Sequence, residues 1–353
     1  MTPKAALRLS SSLTDWFKDI ARPLPWRVSY DPYGVWVSEI MCQQTRIETV
    51  LPYYRRWMER LPGVKALAQV SGPELLKLWE GLGYYSRARN LQKAAAQILE
   101  RHQGNLPTNR PDLEALPGIG PYTAGAILSI AFNQPEPLLD GNIERVLSRV
   151  LDLPENVRAK PGRERLTQAV TALLQAGEPR QVAQGLMELG ALVCLPQTPQ
   201  CLGCPLLGQC LAQERGTWSD RPQLPPRPAT VKEKRLVLVF SHQGRYYLEP
   251  QPKGQKWAGM LLFPLWLQAE WPSLEGLKEQ LWDRYSLRPQ PQELGRFKYN
   301  VTCYQVEAWA WQLPLESKPQ WPGLWLSGQE LGQLGLPRPS LLTLGLLGSA
   351  RLG

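Results

Sequence analysis

The chain has 353 residues, enough for about two domains. With 43% hydrophobic and 20% charged residues it is globular in composition, which excludes a disordered or fibrous chain. Forty Lys and Arg against 31 Asp and Glu leave +9, a balance that suits a polyanionic partner such as nucleic acid. The segment Met1–Phe17 lacks an apolar run of signal-peptide length, and Leu341–Leu347 is too short to cross a bilayer, so the expectation is a cytoplasmic protein with no membrane contact. In that compartment thiols stay reduced, and clustered cysteines argue for metal over disulfides.

From about residue 7 to 213 the apolar spacing predicts helices. Val35–Val50 carries Val37, Ile40, Met41 and Ile47 on one stripe and Glu39, Cys42, Gln43 and Arg46 on the other, and reads as a single helix. Leu91–Leu99, Leu113–Leu116, Tyr122–Phe132, Ile143–Leu151, Leu166–Leu174 and Val182–Val193 continue the pattern. Leu116-Pro-Gly-Ile-Gly-Pro-Tyr-Thr123 joins two short helices through a turn in which Gly118 and Gly120 let the backbone approach a partner. The amides opening the second helix face outward at the positive end of its dipole, which suits a DNA phosphate.

That second helix carries the chain about 15 Å from the turn. Asn133–Leu139 can span about 23 Å when extended, enough to bring Asp140 back to the mouth of the hairpin. Asp140-Gly-Asn142 opens another helix, buried through Ile143, Val146, Leu147 and Val150. Asp140 alone is an N-cap, and a carboxylate held by helix amides stays ionised near neutral pH.

The helical part ends in Cys194, Cys201, Cys204 and Cys210, spaced six, two and five residues apart. Four thiolates hold zinc or an iron–sulfur cubane. Structural zinc commonly uses two Cys-x2-Cys knuckles and only one is present, so the spacing predicts one [4Fe-4S] cluster with a structural role. Cys42 and Cys303 lie outside the pattern and read as buried residues. Arg221–Pro228 is a stiff, proline-rich linker. Beyond it Arg235–Phe240 and Arg245–Glu249 flank a predicted hairpin at His242-Gln-Gly244, and Leu294–Leu313 holds two strand-like runs. Ser273–Tyr285 is a helix with Ser273 as N-cap. The expected division is a helical domain over 1–213, a linker over 214–231 and an α+β domain over 232–353.

The hairpin, the aspartate and the cysteine spacing together resemble the endonuclease III (helix-hairpin-helix) superfamily of base-excision DNA glycosylases. Val35-Trp-Val-Ser-Glu-Ile-Met-Cys-Gln-Gln-Thr45, Glu80-Gly-Leu-Gly-Tyr-Tyr-Ser-Arg-Ala-Arg-Asn90 and Leu139-Asp-Gly-Asn142 resemble its MutY-type adenine DNA glycosylases, and the resemblance covers nearly the whole chain. It implies a monomer that excises adenine opposite 8-oxoguanine or guanine in double-stranded DNA. Bifunctional members carry a Schiff-base lysine where this chain has Tyr122, which implies a monofunctional enzyme. Breaking an adenine–sugar bond needs a proton on the base and a negative charge beside a cationic sugar, roles that two carboxylates in different surroundings can divide. By resemblance Glu39 is the acid, Asp140 stabilises or attacks the sugar, and Tyr122 and Asn142 hydrogen-bond around them. Trp26, Arg27, Cys42 and Gln184 line the pocket for the flipped adenine, with Cys42 replacing the usual leucine. Gln44, Thr45, Leu82 and Tyr84 probe the opposite base, Gln44 and Tyr84 as wedges.

Two departures stand out. The first cysteine arm, Leu195–Gln200, lacks the family's basic residues, which moves the phosphate contacts to residues such as Arg87 and Arg89. The C-terminal domain resembles a Nudix-like module through Lys256-Trp-Ala-Gly-Met-Leu-Leu-Phe-Pro264, without the acidic box that holds magnesium. Where the family has a Phe-Ser-His strand checking 8-oxoguanine, this chain has Val301-Thr302-Cys303, leaving Thr302 as the remaining hydroxyl contact. The competing expectations are a pyrimidine-specific endonuclease III-like glycosylase/lyase and a non-catalytic iron–sulfur DNA-binding protein.

Overall fold

A computed structural model of the chain describes residues 1–226, 228–270, 274–287 and 290–350. They fall into two compact units, Met1–Gln69 with Asn90–Pro226 and Val70–Arg89 with Arg227–Gly353. Among the described residues no helix is long and apolar enough to cross a membrane.

The first unit is helical. Its helices open on side chains that accept the amides left free in a first turn: Thr2 from Ala5, Asp31 from Gly34, Asn109 from Asp112 and Asp140 from Ile143. Proline sits in the first turn of most of them, where its missing N–H costs nothing. The helix Pro179–Leu192 packs on Pro3–Ile20 and Gly141–Val150. Its Leu186 and Leu189 join Leu13, Ile143, Val146, Leu147, Leu166 and Val170 in one buried core.

The expected single helix over Val35–Val50 is two. One runs Pro32–Cys42 and the other Ile47–Arg60, with Gln44 at φ 58 between them. A left-handed residue cannot continue a right-handed helix, and no glycine marks the break. The helix expected over Tyr122–Phe132 is α-helical over Pro121–Ala126 and turns into a π-helical stretch over Ile127–Ala131, where the Phe132 N–H reaches the Ile127 carbonyl. Such stretches recur beside functional sites, and Ile130 lines the pocket described below.

The second unit is α+β. Its strands are β1 (Val231–His242), β2 (Arg245–Pro250), β3 (Leu261–Leu262), β4 (Leu265–Leu267), β5 (Gln292–Val301), β6 (Tyr304–Pro314) and β7 (Leu324–Ser327). The sheet runs β3-β2-β1-β6-β5, with β4 pairing β1 and β7 pairing β2, and β1 and β6 are parallel. The expected β1–β2 hairpin is present, with His242 opposite Arg245 and positive φ at Gln243 and Gly244, the geometry that a two-residue turn of this twist requires. The helix expected at Ser273–Tyr285 runs Leu274–Tyr285; Ser273 lies outside the described residues. Val70–Arg89 joins this unit through polar contacts. The Leu336 N–H donates to Glu80 Oε2 (2.9 Å), the Tyr85 hydroxyl donates to the Leu336 carbonyl (2.8 Å), and Arg89 Nη1 donates to the Ala258 carbonyl (2.7 Å).

Candidate active site

Three helix segments of the first unit bring four chemistry-bearing side chains to one pocket. Glu39 comes from Pro32–Cys42, Tyr122 from the first turn of Pro121–Ala126, and Asp140 and Asn142 from the start of Gly141–Val150. The Tyr122 hydroxyl donates to Glu39 Oε2 at 2.7 Å. Asp140 Oδ1 accepts the Ile143 N–H at 2.7 Å and its Oδ2 accepts the Asn142 side-chain amide at 3.0 Å, so Asp140 caps its helix as the local pattern requires.

Burial sets the electrostatics. It lifts the Glu39 carboxyl from 4.5 to about 7; the Tyr122 hydrogen bond opposes this, the Asp140 charge adds to it and the Arg27 charge opposes it. Burial also raises Asp140, against the Ile143 and Asn142 donors and the Arg145 charge. Burial and the Glu39 and Asp140 charges hold the Tyr122 phenol well above 10, so it stays a hydrogen-bond donor. The pocket therefore holds one carboxyl poised to carry a proton at neutral pH beside a second that accepts amide hydrogen bonds.

The same pocket is lined by Trp26, Arg27, Cys42, Gln44, Thr45 and Gln184. Trp26 is buried edge-on to Tyr54, with ring centroids 4.9 Å apart. Arg27 Nε donates to Gln184 Oε1 (2.8 Å), while the Gln184 amide donates to the Tyr30 hydroxyl (3.3 Å) and the Arg180 carbonyl (3.2 Å). Cys42 is half-buried, not a core residue, and so is Cys303.

Other expected residues are not among those that line this pocket. Gly118 and Gly120 form the hairpin turn; Gly118 has φ 82 and presses on Asn90, whose Cβ would stand 2.8 Å from an added Cβ. Leu82, Tyr84 and Thr302 belong to the second unit. Leu82 is buried, whereas Tyr84 is 48% exposed on a turn with positive φ at Gly81, Gly83 and Tyr84. Thr302 does not sit in a strand. It occupies the two-residue turn between β5 and β6 at φ 52, exposed, its hydroxyl donating to the Val301 carbonyl at 2.7 Å. Arg87 and Arg89 do not reach outward as free phosphate ligands. Arg87 Nη2 donates to the Leu82 and Gly83 carbonyls, its guanidinium stacks on Trp79 and Tyr84, and Arg89 is held by Ala258.

Cys194, Cys201, Cys204 and Cys210 border a second, mainly apolar pocket with Arg149, Leu206, Leu207 and Trp218. Burial pushes the Cys204 thiol up to about 11, a Leu206 N–H opposes this, and the nearby Cys194, Cys210 and Cys201 charges add to it. Arg149 Nη1 donates to Cys194 Sγ at 3.3 Å and the Leu206 N–H to Cys204 Sγ at 3.4 Å. Among the described residues no three His, Cys, Asp or Glu side chains stand as ligands of a metal ion, yet all four cysteines border the one pocket.

Three charged residues escaped the sequence analysis. Glu188 is buried against Arg22 and Arg27. Arg145 donates to the Cys194 and Gly190 carbonyls (both 2.7 Å) and to Asn142 Oδ1 (2.9 Å), so it ties the first cysteine to the Asp140–Asn142 turn. Arg149 binds the carbonyls of Leu195, Pro196 and Trp218. Helical spacing places two of them near expected site residues, Glu188 four after Gln184 and Arg145 three after Asn142, without revealing their burial or partners.

Residues 37–172 match the family described as HhH-GPD superfamily base excision DNA repair protein. The chain is 30% identical over 336 residues to an adenine DNA glycosylase of Buchnera aphidicola subsp. Schizaphis graminum, covering 94% of this chain and 96% of that protein. It is 42% identical over 227 residues to the Mus musculus adenine DNA glycosylase, 62% of this chain and 44% of that protein. Among solved structures, a thermostable thymine-DNA glycosylase superposes with a TM-score of 0.55 at 25% identity, covering 60% of this chain and 98% of its own.

Proposed function

The chain belongs to the family of adenine DNA glycosylases, and we propose that it hydrolyses the N-glycosidic bond of adenine mispaired with 8-oxoguanine or guanine in duplex DNA, as a monofunctional enzyme. The observation that carries this reading is the buried Glu39 carboxyl, poised near pH 7 and hydrogen-bonded to Tyr122 in the pocket that also holds Asp140. An adenine swung out of the helix enters between Trp26, Arg27 and Gln184. Glu39 gives its proton to a ring nitrogen of the purine as the carbon–nitrogen bond breaks and its electron pair leaves with the base. The Asp140 carboxylate faces the positive charge developing on the sugar, and water completes the hydrolysis. Tyr122, whose phenol stays protonated, supplies no amine for a Schiff base, so the product is an abasic site in an intact strand.

Gln44, Thr45, Tyr84 and Thr302 are the proposed contacts to the opposite base and its neighbours, with Leu82 buried in the turn that presents Tyr84. The four cysteines fit a [4Fe-4S] cluster: all donors are thiols, they border one pocket, and Arg149 and the Leu206 N–H already donate to two of the sulfurs, which suits an anionic centre. When bound, the cluster supplies a structural brace, and Arg145 carries that brace to Asn142 through the Cys194 carbonyl. The residues of the base pocket all come from one compact unit, and the proposed enzyme acts as a monomer. A cytoplasmic location follows from this reading, since it needs DNA and reduced thiols.

The test uses duplexes with A opposite 8-oxoguanine, A opposite G, and thymine glycol, each followed by alkali. Adenine release from the first two and strand breaks only after alkali are expected. Cleavage of the thymine glycol duplex, breaks without alkali, or no release by either wild type or Glu39→Gln would refute the assignment.

A further inference from the structure

A carboxylate as buried as Glu188, 1% exposed, is costly unless it is paired. It has two partners. Arg22 donates from Nε to Oε1 (2.6 Å) and from Nη2 to Oε2 (2.9 Å), and Arg27 donates from Nη1 to Oε1 (3.4 Å) and from Nη2 to Oε2 (3.1 Å). Arg27 is anchored further by Gln184 and by the Arg22 carbonyl, and it lies 5.2 Å over the Phe17 ring. These contacts leave the Arg27 guanidinium fixed in the wall of the pocket that holds Glu39.

The charges around Glu39 are few enough to follow. Tyr122 donates to it, the Asp140 carboxyl raises its pKa and the Arg27 guanidinium lowers it. Cys42 shares its helix, and Arg22, Arg46 and Glu48 stand on the rim of the same pocket. Glu48 lies 3.8 Å from Arg22 but is 75% exposed, so water screens it. Glu188 is thus the buried anion that answers Arg27. Its own pKa is depressed: burial raises it, but the Arg22 and Arg27 hydrogen bonds and charges together outweigh burial.

We propose that Glu188 is a positioning residue of the excision reaction: it locks Arg27 into the wall of the base pocket and offsets the guanidinium charge beside Glu39, so that Glu39 keeps the proton it gives to the purine. The inference rests on Glu39 being the acid. Without Glu188, two uncompensated guanidiniums would draw the proton off Glu39. Without Arg22, the Glu188 charge would be spent on Arg27 alone, and Glu39 would hold its proton more firmly. The two substitutions therefore act in opposite directions.

The experiment is the pH profile of single-turnover adenine release by the full chain, from an A opposite 8-oxoguanine duplex. For Glu188→Gln the alkaline limb is expected to fall by about one pH unit, roughly a tenfold loss of rate above the limb, with a smaller loss at acid pH. Arg22→Gln is expected to move the limb the other way, and Glu188→Asp, which keeps the charge, to leave the limb in place. A uniform loss of rate with an unmoved limb in Glu188→Gln would overturn the proposal. If that variant fails to fold, an unmoved or lowered limb in Arg22→Gln overturns it instead. Absence of adenine release by wild type would refute the glycosylase assignment itself, a different result from release whose pH limb neither variant moves.

Discussion

Replacing Glu39 by glutamine should slow excision sharply and at the same time stabilise the protein at alkaline pH. The carboxyl ionises near pH 7 in the fold against 4.5 when exposed, because burial penalises its charge. A raised carboxylate pKa means that the folded chain holds a proton the unfolded chain has lost. Stability is therefore full below about pH 4.5, and it falls as pH rises through about 7. The gap of about 2.5 pH units, at about 1.4 kcal/mol each, makes that loss about 3 kcal/mol at pH 8. Glutamine matches the protonated side chain in shape, still accepts the Tyr122 hydroxyl and carries no charge to bury. Urea denaturation of Glu39→Gln and wild type at pH 8 should thus differ by about 3 kcal/mol in favour of the variant, or roughly 6–12 °C in Tm for a unit of this size. At pH 5 the gap should shrink to about 1 kcal/mol or less. Adenine release should fall by roughly 10²–10⁴-fold, the usual worth of a general acid. A variant no more stable than wild type at pH 8, or equally stabilised at both pH values, would refute the claim that burial holds the proton on Glu39.

The same geometry sets further expectations. Tyr122→Phe removes the donor that lowers the Glu39 pKa, so the alkaline limb of the rate profile should move up by about one pH unit while the maximal rate falls. Gly190→Ala would put a Cβ 2.5 Å from Asn142 Cβ and 3.1 Å from its Cα, pushing on the Asp140–Asn142 turn. Denaturant titration should show a loss of about 1–3 kcal/mol, and single-turnover assays a slower excision step. Cys204→Ser should remove absorbance near 400 nm (roughly where thiolate-bound clusters absorb) and bound iron, and expose Val193–Glu214 to limited proteolysis; stoichiometric zinc with no such absorbance in wild type would contradict the cluster.

What the sequence revealed follows from the range of the interactions involved. Asp140 was legible as a cap because its acceptor role needs only Ile143, three residues on. The β1–β2 turn was legible because Gln243 and Gly244 lie between strands that pair directly across them. Glu39, Tyr122 and Asp140 were individually legible, but the 2.7 Å contact between Tyr122 and Glu39 joins residues 83 positions apart. Glu188 was missed because its partners stand 166 and 161 residues away, and a lone glutamate on an amphipathic helix does not announce burial. The break at Gln44 was hidden because glutamine is an uncommon residue at positive φ, and the apolar stripe runs on across it. Val70–Arg89 joins the second unit through the backbone of Leu336 and Ala258, and backbone donors and acceptors leave no trace in side-chain patterns.

Position within a helix explains how one pocket keeps two carboxyls in different roles. Burial raises both, so desolvation alone would leave Glu39 and Asp140 alike. Glu39 sits in the body of Pro32–Cys42, where the helix amides are used by its own carbonyls, and its donor there is a neutral hydroxyl. Asp140 precedes Gly141–Val150, where the first amides have no carbonyl partner and the helix dipole is positive. It gathers the Ile143 N–H and the Asn142 amide, with the Arg145 charge behind them. The donors favour the anion at Asp140, and their scarcity favours the acid at Glu39. Because Arg145 also grips the Cys194 and Gly190 carbonyls, the turn that supplies donors to Asp140 is tied to the first cysteine, while in the proposed chemistry the proton on Glu39 depends on the wall formed by Arg27 and Glu188. The two halves of the proposed chemistry are thus supported by networks with no residue in common, both tied to the helix Pro179–Leu192, one through Glu188 and the other through the Gly190 carbonyl.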